Sequence, residues 1–94
     1  MKTLLDHGFR SYYNNMWFVY LLLCGDSTYY CGITKDIKRR IHEHNSTKRG
    51  AKYTRSRRPV SLIGFKEVES RSKALRVERK VKNLPRSKKI DFFT

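Results

Sequence analysis

The hydrophobic positions in the first third of the chain predict a β-hairpin. Residues 17–23, WFVYLLL, form a short continuous apolar run, and a Gly-Asp-Ser turn signal follows it. A run of this length beside a turn favours a buried strand over a helix. Residues 28–33, TYYCGI, combine strand-forming residues with Gly32, which marks a bulge or a close backbone approach. We therefore predict two paired strands joined by a turn at 24–27.

The apolar spacing then changes to that of a helix. Ile37 and Ile41 lie four residues apart and mark the buried stripe of a first helix. Thr34 is the expected N-cap, and the negative charge of Asp36 in the first turn interacts favourably with the helix dipole. Residues 47–59, TKRGAKYTRSRRP, follow as a basic loop, and loops of this length are usually functional or mobile.

The last third of the chain predicts one more strand and two more helices. Residues 60–68, VSLIGFKEV, read as a third strand. The residues expected to face inward are Val60, Leu62 and Phe65. Ser70 or Ser72 caps the next helix, and Pro85 ends it or starts a short terminal helix. The core face of that helix is given by Ala74, Val77, Val81 and Leu84.

This order of elements predicts the architecture. A chain of 94 residues is expected to form one domain. Strand, strand, helix, strand, helix and helix predict an α/β fold with a small three-stranded sheet flanked by helices. We assign residues 1–16 to an N-terminal extension and residues 17–94 to the folded domain.

The charge of the chain indicates its partner. It carries 22 Lys and Arg against 8 Asp and Glu, a formal net charge of +14. A compact domain with this charge repels itself, and an anionic polymer is the usual reason for it, because many phosphate contacts add up and release counterions. We therefore expect nucleic acid rather than an acidic protein or a membrane surface. Charge alone separates neither an enzyme from a binder nor DNA from RNA.

The composition excludes several classes of protein. Hydrophobic residues make up 38% and aromatic residues 13%, which is too much for a disordered basic tail. No run of 18 or more apolar residues exists, so we expect no membrane span, and the N-terminus offers no apolar signal region. Cys24 and Cys31 are too few for a disulfide framework or a zinc site, so we expect reduced thiols in a cytoplasmic protein.

Three groups of residues are candidates for chemistry. Tyr20 and Tyr30 lie in the paired strands, where both phenols either face one surface or simply fill a small core. Arg40 and His44 share a helix face. Either Arg40 binds a phosphate while His44 transfers a proton, or both belong to a solvated basic surface. Glu78 is an isolated acid in a strongly basic stretch, which suits either a Mg²⁺ ligand or an ion pair with a neighbouring cation.

Taken in order, these residues resemble the GIY-YIG nuclease superfamily. FVY at 18–20 and YCG at 30–32 resemble its paired GIY and YIG motifs, and the run TKDIKRRIHEH follows the second motif. The match continues with KYT at 52–54 and with Glu78 on a later helix, so it covers about residues 17–85. The chain looks closest to the small single-domain bacterial members, and its nuclease module is similar to those of excision-repair and homing endonucleases.

The resemblance implies a metal-dependent endonuclease that hydrolyses phosphodiester bonds in DNA, with a role in DNA repair. Tyr20 and Tyr30 are implied to act at the attacking water, one of them as the general base or its positioner. Arg40 lies eight residues after Gly32, as in the family, and is implied to stabilise the charged phosphate. His44 matches a position that assists proton transfer or orients a tyrosine.

The same resemblance implies a cofactor and a substrate surface. Glu78 matches the single ligand of one Mg²⁺ or Mn²⁺ ion. Arg40, neighbouring lysines and the metal would lower the pKa of a tyrosine. Phe18 stands where the first motif has glycine, and its bulk would narrow the approach of substrate. The residues expected to bind nucleic acid are Lys35, Arg39, Lys52, Tyr53, Arg55, Arg57 and Arg58.

Two readings of the function remain open. As an enzyme, the chain should bring its five catalytic candidates to one surface. As a non-catalytic domain with an unused site, it would bind DNA or RNA without needing those five residues together. We expect no separate targeting module in a domain this small, so specificity is expected from residues 47–59, from residues 1–16 or from a protein partner.

Overall fold

The computed structural model describes residues 16–94. The predicted N-terminal extension, residues 1–16, lies outside the described residues apart from Met16. The boundary between extension and domain therefore stays a prediction.

Three strands form one antiparallel sheet. They are β1 (Trp17–Leu23), β2 (Tyr29–Thr34) and β3 (Ser61–Val68). Their spatial order is β2-β1-β3, so β1 pairs on both sides and β2 is an edge strand. The predicted hairpin is confirmed, and the third strand begins one residue later than predicted.

Four helices complete the described part of the chain. They are α1 (Ile37–Ser46), α2 (Lys52–Arg55), α3 (Arg71–Lys82) and α4 (Arg86–Phe93). The α/β class and the order of the main elements are as predicted. The addition is α2, a single turn inside the segment predicted to be loop. Within residues 16–94, no helix is long and apolar enough to cross a membrane.

Side-chain caps fix where the two longest helices begin. Asp36 Oδ1 accepts a hydrogen bond from the Arg39 backbone N–H at 3.1 Å, so Asp36 caps α1 and the prediction of Thr34 as the N-cap is wrong. Thr34 ends β2 instead, and its hydroxyl accepts from the Asp36 N–H at 3.1 Å. Ser70 caps α3 by accepting from the Lys73 N–H at 3.2 Å.

Helices cover both faces of the sheet. Because successive side chains of a strand point to opposite faces, β1 supplies both cores. The buried cluster on the α1 face contains Phe18, Tyr20, Leu22, Cys24, Ile37 and Val60. The buried cluster on the α3 and α4 face contains Val19, Leu21, Cys31, Val68, Ala74 and Val81.

An irregularity in β3 aligns its inward residues. The register with β1 shifts between Leu21 and Leu22. This bulge places Leu62 and Phe65 against the same cluster as Val60, which confirms the predicted inward face.

Phe18, at the position of the first motif's glycine, belongs to the core. Its side chain is fully buried, and its ring lies 5.5 Å from that of Phe65 in an edge-to-face arrangement. The expectation that Phe18 narrows the approach of substrate is therefore wrong, because the ring fills the space between sheet and helix.

Candidate active site

The two motif tyrosines lie on the α1 face of the hairpin. Tyr20 sits in the central strand and is 1% exposed, and its register partner in β2 is Gly32. Tyr30 precedes Gly32 by two residues, so it projects on the same face, and its ring centroid lies 6.5 Å from that of Tyr20.

Gly32 is required by the position of the Tyr20 phenol. A Cβ atom at residue 32 would lie 2.5 Å from the Tyr20 hydroxyl oxygen and 3.0 Å from a ring carbon of Tyr30. The hydroxyl therefore rests directly over the glycine backbone. This close approach explains the glycine that follows the second tyrosine by two residues.

Helix α1 brings His44 into contact with both tyrosines. His44 is fully buried, its Nε2 lies 2.8 Å from the Tyr20 hydroxyl, and its ring centroid lies 5.2 Å from that of Tyr30. Burial, followed by the nearby charge of Arg40, lowers the pKa of His44 to about 4. The imidazole is therefore neutral at pH 7, with one donor nitrogen and one acceptor nitrogen.

Thr54 completes this buried chain, and it is not among the site residues expected from the sequence. Its hydroxyl oxygen lies 2.8 Å from His44 Nδ1 and donates to the Ala51 carbonyl at 2.9 Å, and the residue is fully buried in α2. A buried histidine needs partners for both ring nitrogens, and only one partner was assigned from the sequence. The need for a second partner of His44 could have pointed to Thr54, the last residue of the KYT string at 52–54.

Arg40 places a cation at the mouth of this cluster. Its side chain is 26% exposed, and Nη1 donates to Glu43 Oε1 at 2.8 Å and to the Arg49 carbonyl at 2.7 Å. The guanidinium also lies close enough to the Tyr20 hydroxyl to counteract part of the rise in its pKa. Arg40 is thus held in place on one side while remaining accessible on the other.

The phenols do not titrate as expected from the sequence. Burial, helped by the neighbouring Tyr30, raises the pKa of Tyr20 well above its usual value despite the Arg40 charge. Burial also raises the pKa of Tyr30. The expectation that surrounding cations lower a tyrosine pKa is therefore wrong for the protein alone, since desolvation outweighs the cations.

Glu78 comes from the other layer of the molecule. It lies on α3, which packs against the face of the sheet opposite to Tyr20. Its side chain is 18% exposed and its carboxylate lies 3.5 Å from Lys82 Nζ. After burial, its charge is among the causes that raise the pKa values of Tyr30 and Cys31. Those residues project to opposite faces of β2, so the carboxylate lies near the strand edge.

The five catalytic candidates therefore do not all lie on one surface, as was expected of an enzyme; they are arranged as four and one. Tyr20, Tyr30, Arg40 and His44 form one cluster on the α1 face, and Glu78 approaches Tyr30 around the edge of β2. Among residues 16–94, no group of three or more His, Cys, Asp and Glu side chains could hold a metal ion. A single carboxylate nevertheless fits Mg²⁺, which keeps several waters and takes substrate phosphate oxygens as ligands.

Four residues of the expected nucleic-acid surface are exposed cations. They are Lys35, Arg39, Lys52 and Arg55. Arg39 is 69% exposed and lies 4.0 Å from Glu43, while Lys35 lies 5.8 Å from the centre of the Trp17 ring. These side chains occupy α1, its entry and α2, beside the four-residue cluster.

The other three residues of that expected surface make internal contacts. The Tyr53 ring stacks on the Tyr30 ring with 6.0 Å between their centroids. The Arg57 guanidinium carbon lies 3.9 Å from the centroid of the Tyr53 ring. Arg57 also pairs with Asp26 at 2.9 Å. The Arg58 guanidinium donates to carbonyls at the end of α1, including those of His44 and Thr47. Arg57 and Arg58 therefore hold the segment in place.

The chain is similar to known proteins in sequence. The family model of the GIY-YIG catalytic domain matches residues 16–91. The chain is 51% identical over 73 residues to a UPF0213 protein of Desulfotalea psychrophila, covering 78% of this chain and 66% of that protein. It is 47% identical over 75 residues to a UPF0213 protein of Halobacterium salinarum, covering 80% of this chain and 96% of that protein.

Solved structures show the same likeness. A UPF0213 protein from Bacillus halodurans, determined by solution NMR, is 42% identical with a TM-score of 0.51, covering 82% of this chain and 81% of that one. A protein from E. faecalis, also determined by solution NMR, is 40% identical with a TM-score of 0.58, covering 84% and 83%.

Proposed function

Because the chain belongs to the GIY-YIG family of nucleases, we propose that it is a divalent-metal-dependent endonuclease that hydrolyses phosphodiester bonds in DNA. The observation that carries this proposal is the buried hydrogen bond between Tyr20 and His44, flanked by Tyr30 and Arg40. A domain that only binds nucleic acid gains nothing from a neutral histidine bonded to a phenol behind an arginine. General acid–base chemistry at a phosphate uses all of these groups.

The buried chain offers a path for one proton. Thr54 donates its own hydrogen to the Ala51 carbonyl at 2.9 Å, so its oxygen can accept from Nδ1–H of His44 at 2.8 Å. The Ala51 N–H lies farther from Nδ1, at 3.4 Å, so the Thr54 contact is the shorter of the two. In that tautomer Nε2 accepts the Tyr20 proton across 2.8 Å. When a water attacks the phosphorus, its proton passes to the Tyr20 oxygen as the Tyr20 proton passes to His44, and the bond from phosphorus to the departing sugar oxygen breaks. Tyr30, beside both rings, positions the water.

Substrate binding favours this transfer electrostatically. The charge of Arg40 is one cause of the low pKa of His44, after burial. A phosphodiester bound to Arg40 adds a negative charge beside the imidazole and raises its pKa toward the normal range. His44 is thus a weak base in the free protein and a stronger one once substrate is bound. Arg40 then stabilises the charge that develops on the phosphate.

Glu78 is the residue that would hold the divalent ion. Such an ion supplies Lewis-acid stabilisation of the phosphate and of the departing oxygen. Glu78 also has a local competitor, since its carboxylate lies 3.5 Å from Lys82 Nζ.

DNA is the proposed substrate, and the exposed cations on α1 and α2 support it. Lys52 and Arg55 are exposed on α2, the helix that carries Thr54, and are available to phosphates of a bound backbone. A reducing cytoplasmic location is supported by the two cysteines, Cys24 and Cys31, which are both unpaired.

Nicking of supercoiled plasmid tests the enzyme directly. Wild-type protein should nick in Mg²⁺ or Mn²⁺ and not in EDTA. Glu78→Gln should lower the rate by roughly 100-fold, as expected for loss of a group that stabilises transition-state charge. Glu69→Gln is the matched control, because Glu69 also pairs with a lysine four residues on, Lys73 at 2.7 Å, on the exposed start of α3.

The outcomes separate the enzyme from a binding module. Equal nicking by wild type and Glu78→Gln would show that the cleavage comes from another site or a contaminant. Salt-sensitive DNA binding by both proteins, with no nicking in either metal, would favour the non-catalytic reading. If neither the wild type nor Glu78→Gln nicks, and Glu78→Gln melts at a lower temperature than Glu69→Gln, Glu78 is assigned to a structural ion pair.

A further inference from the structure

A pocket of about 310 Å³ opens at the edge of β2. Its lining residues are Tyr29, Tyr30, Cys31, Tyr53, Lys82 and Lys89. The volume is at the lower end of ligand pockets, which start at about 300 Å³. Tyr30 belongs to the proposed catalytic cluster, so this β2-edge pocket continues the active site toward α3 and α4.

Lys82 brings a positive charge into the β2-edge pocket. It is the last residue of α3, and its side chain is 53% exposed. Burial raises the pKa of Tyr30, and the charge of Lys82 opposes that rise more than any other group does. The ammonium group therefore lies close to the Tyr30 phenol as well as to Glu78.

Lys89 supplies a second cation whose position is fixed. Its Nζ donates to the Val81 carbonyl at 2.8 Å and to the Lys82 carbonyl at 3.1 Å, both at the end of α3. An ammonium group has three donors, so one N–H remains for a ligand. Arg86 lies 4.4 Å from the centre of the Tyr29 ring, which adds a third cation on this side.

We propose that the β2-edge pocket is a subsite for a phosphate of the nucleic-acid backbone that neighbours the phosphate being cleaved. Lys82 and Lys89 are its ligands, and the phenols of Tyr29 and Tyr53 line the space beside them. The proposal rests on the proposed function, because Tyr30 is shared between the two sites. It adds a second point of backbone contact, made by the lysines of α3 and α4, to that of the exposed cations on α1 and α2.

Lys82 also links this subsite to Glu78. In the protein alone, Lys82 is the cationic partner of the carboxylate at 3.5 Å. A divalent ion on Glu78 would compete with Lys82 for that carboxylate and free the lysine for the neighbouring phosphate. Metal binding and nucleic-acid binding would therefore reinforce each other through one side chain.

The first test measures oligonucleotide binding in EDTA, by fluorescence anisotropy of a short labelled DNA duplex across a salt series. Lys82→Gln should lower the slope of log affinity against log salt by about one, the value for one lost phosphate contact. Lys82→Arg should restore it. Lys80→Gln is the matched control, since Lys80 is exposed on α3 but lies over the Phe92 ring at 5.7 Å, and it should leave the slope unchanged.

The second test measures Mn²⁺ binding to the protein without nucleic acid, by calorimetric titration. Lys82→Gln should bind Mn²⁺ about 1.4- to fivefold more tightly, because an exposed ion pair worth roughly 0.2–1 kcal/mol no longer competes. A lower salt slope for DNA together with a higher affinity for Mn²⁺ would show that Lys82 serves both the phosphate and Glu78.

Each failure has a separate meaning. If Lys82→Gln and Lys80→Gln have equal slopes of log affinity against log salt, the subsite is overturned. Lys82 would then contribute only to the general positive charge of the surface. Unchanged or weaker Mn²⁺ binding in Lys82→Gln would overturn the link to Glu78. Absence of plasmid nicking by the wild type would overturn the proposed function, while the slope measured in EDTA would still decide on the subsite.

Discussion

Replacing His44 with glutamine should change how the stability of the protein depends on pH. His44 is fully buried, and its pKa in the folded chain is about 4, against an ordinary value near 6.5. Between these two values the unfolded chain binds a proton that the folded chain does not. Acid therefore favours unfolding: the stabilisation is fully present above pH 6.5 and is lost as the pH falls toward 4.

The size of the effect follows from the two pKa values. A shift of about 2.5 units corresponds to about 3 kcal/mol by pH 4, and about 2 kcal/mol of it is lost already at pH 5. For a domain of this size, a loss of about 2 kcal/mol lowers the melting temperature by roughly 8–16 °C. The carboxyls of Asp26, Glu43 and Glu69 also have lowered pKa values, but they titrate in every variant.

Thermal or urea unfolding at pH 7 and pH 5 measures this difference. Wild type should lose about 2 kcal/mol more than His44→Gln between the two pH values. His42→Gln, at an exposed position of the same helix, should behave as wild type. An equal loss in wild type and His44→Gln would refute the buried neutral histidine. If His44→Gln does not fold, NMR of the wild-type ring decides, since its signals should not titrate above pH 5.

Three further substitutions test other contacts of the site. Thr54→Val removes the 2.8 Å partner of His44 Nδ1 and leaves only the longer contact with the Ala51 N–H at 3.4 Å, so it should lower stability by about 1–3 kcal/mol and slow plasmid nicking, whereas Thr54→Ser should restore both; failure of the serine to rescue would assign the threonine a packing role. Arg58→Gln should lower the melting temperature, because the Arg58 side chain bonds to the His44 carbonyl, whereas exposed Arg55→Gln should lower DNA affinity measured by anisotropy. The reverse pattern would contradict the internal role of Arg58. Gly32→Ala should cost about 1–3 kcal/mol and abolish nicking, because its Cβ would meet the Tyr20 hydroxyl at 2.5 Å, and normal activity would show that the phenol is free to move.

Local patterns in the sequence were sufficient to predict the sheet and the main helices. The apolar run of β1 and the spacing of Ile37 and Ile41 are consequences of burial on one face, which sequence periodicity records directly. The cap of α1 was misplaced by two residues, because Thr34 and Asp36 both suit an N-cap and only the length of β2 decides between them.

The contacts of the site were harder to predict, because they depend on tertiary packing. Motif order identified Tyr20 and His44, but nothing in their spacing shows that they share a hydrogen bond of 2.8 Å. Thr54 was missed because its partner lies ten residues away on another helix. The raised pKa of Tyr20 was also missed, since the charge of neighbouring cations is visible in the sequence and the depth of burial is not.

The anchoring of the basic segment has a consequence for how this protein can be altered. The Gly25 N–H donates to the Arg57 carbonyl at 2.7 Å, and a Cβ at residue 25 would lie 2.7 Å from the Arg58 carbonyl oxygen. The Arg58 side chain reaches the end of α1 from the other side. Most surface loops accept inserted residues readily. Here an insertion between 51 and 58 would displace either the hairpin turn or the helix that carries His44. Tags and inserted peptides should therefore be placed elsewhere on the chain. The binding properties of this segment can be changed only by substituting its exposed side chains without altering its length.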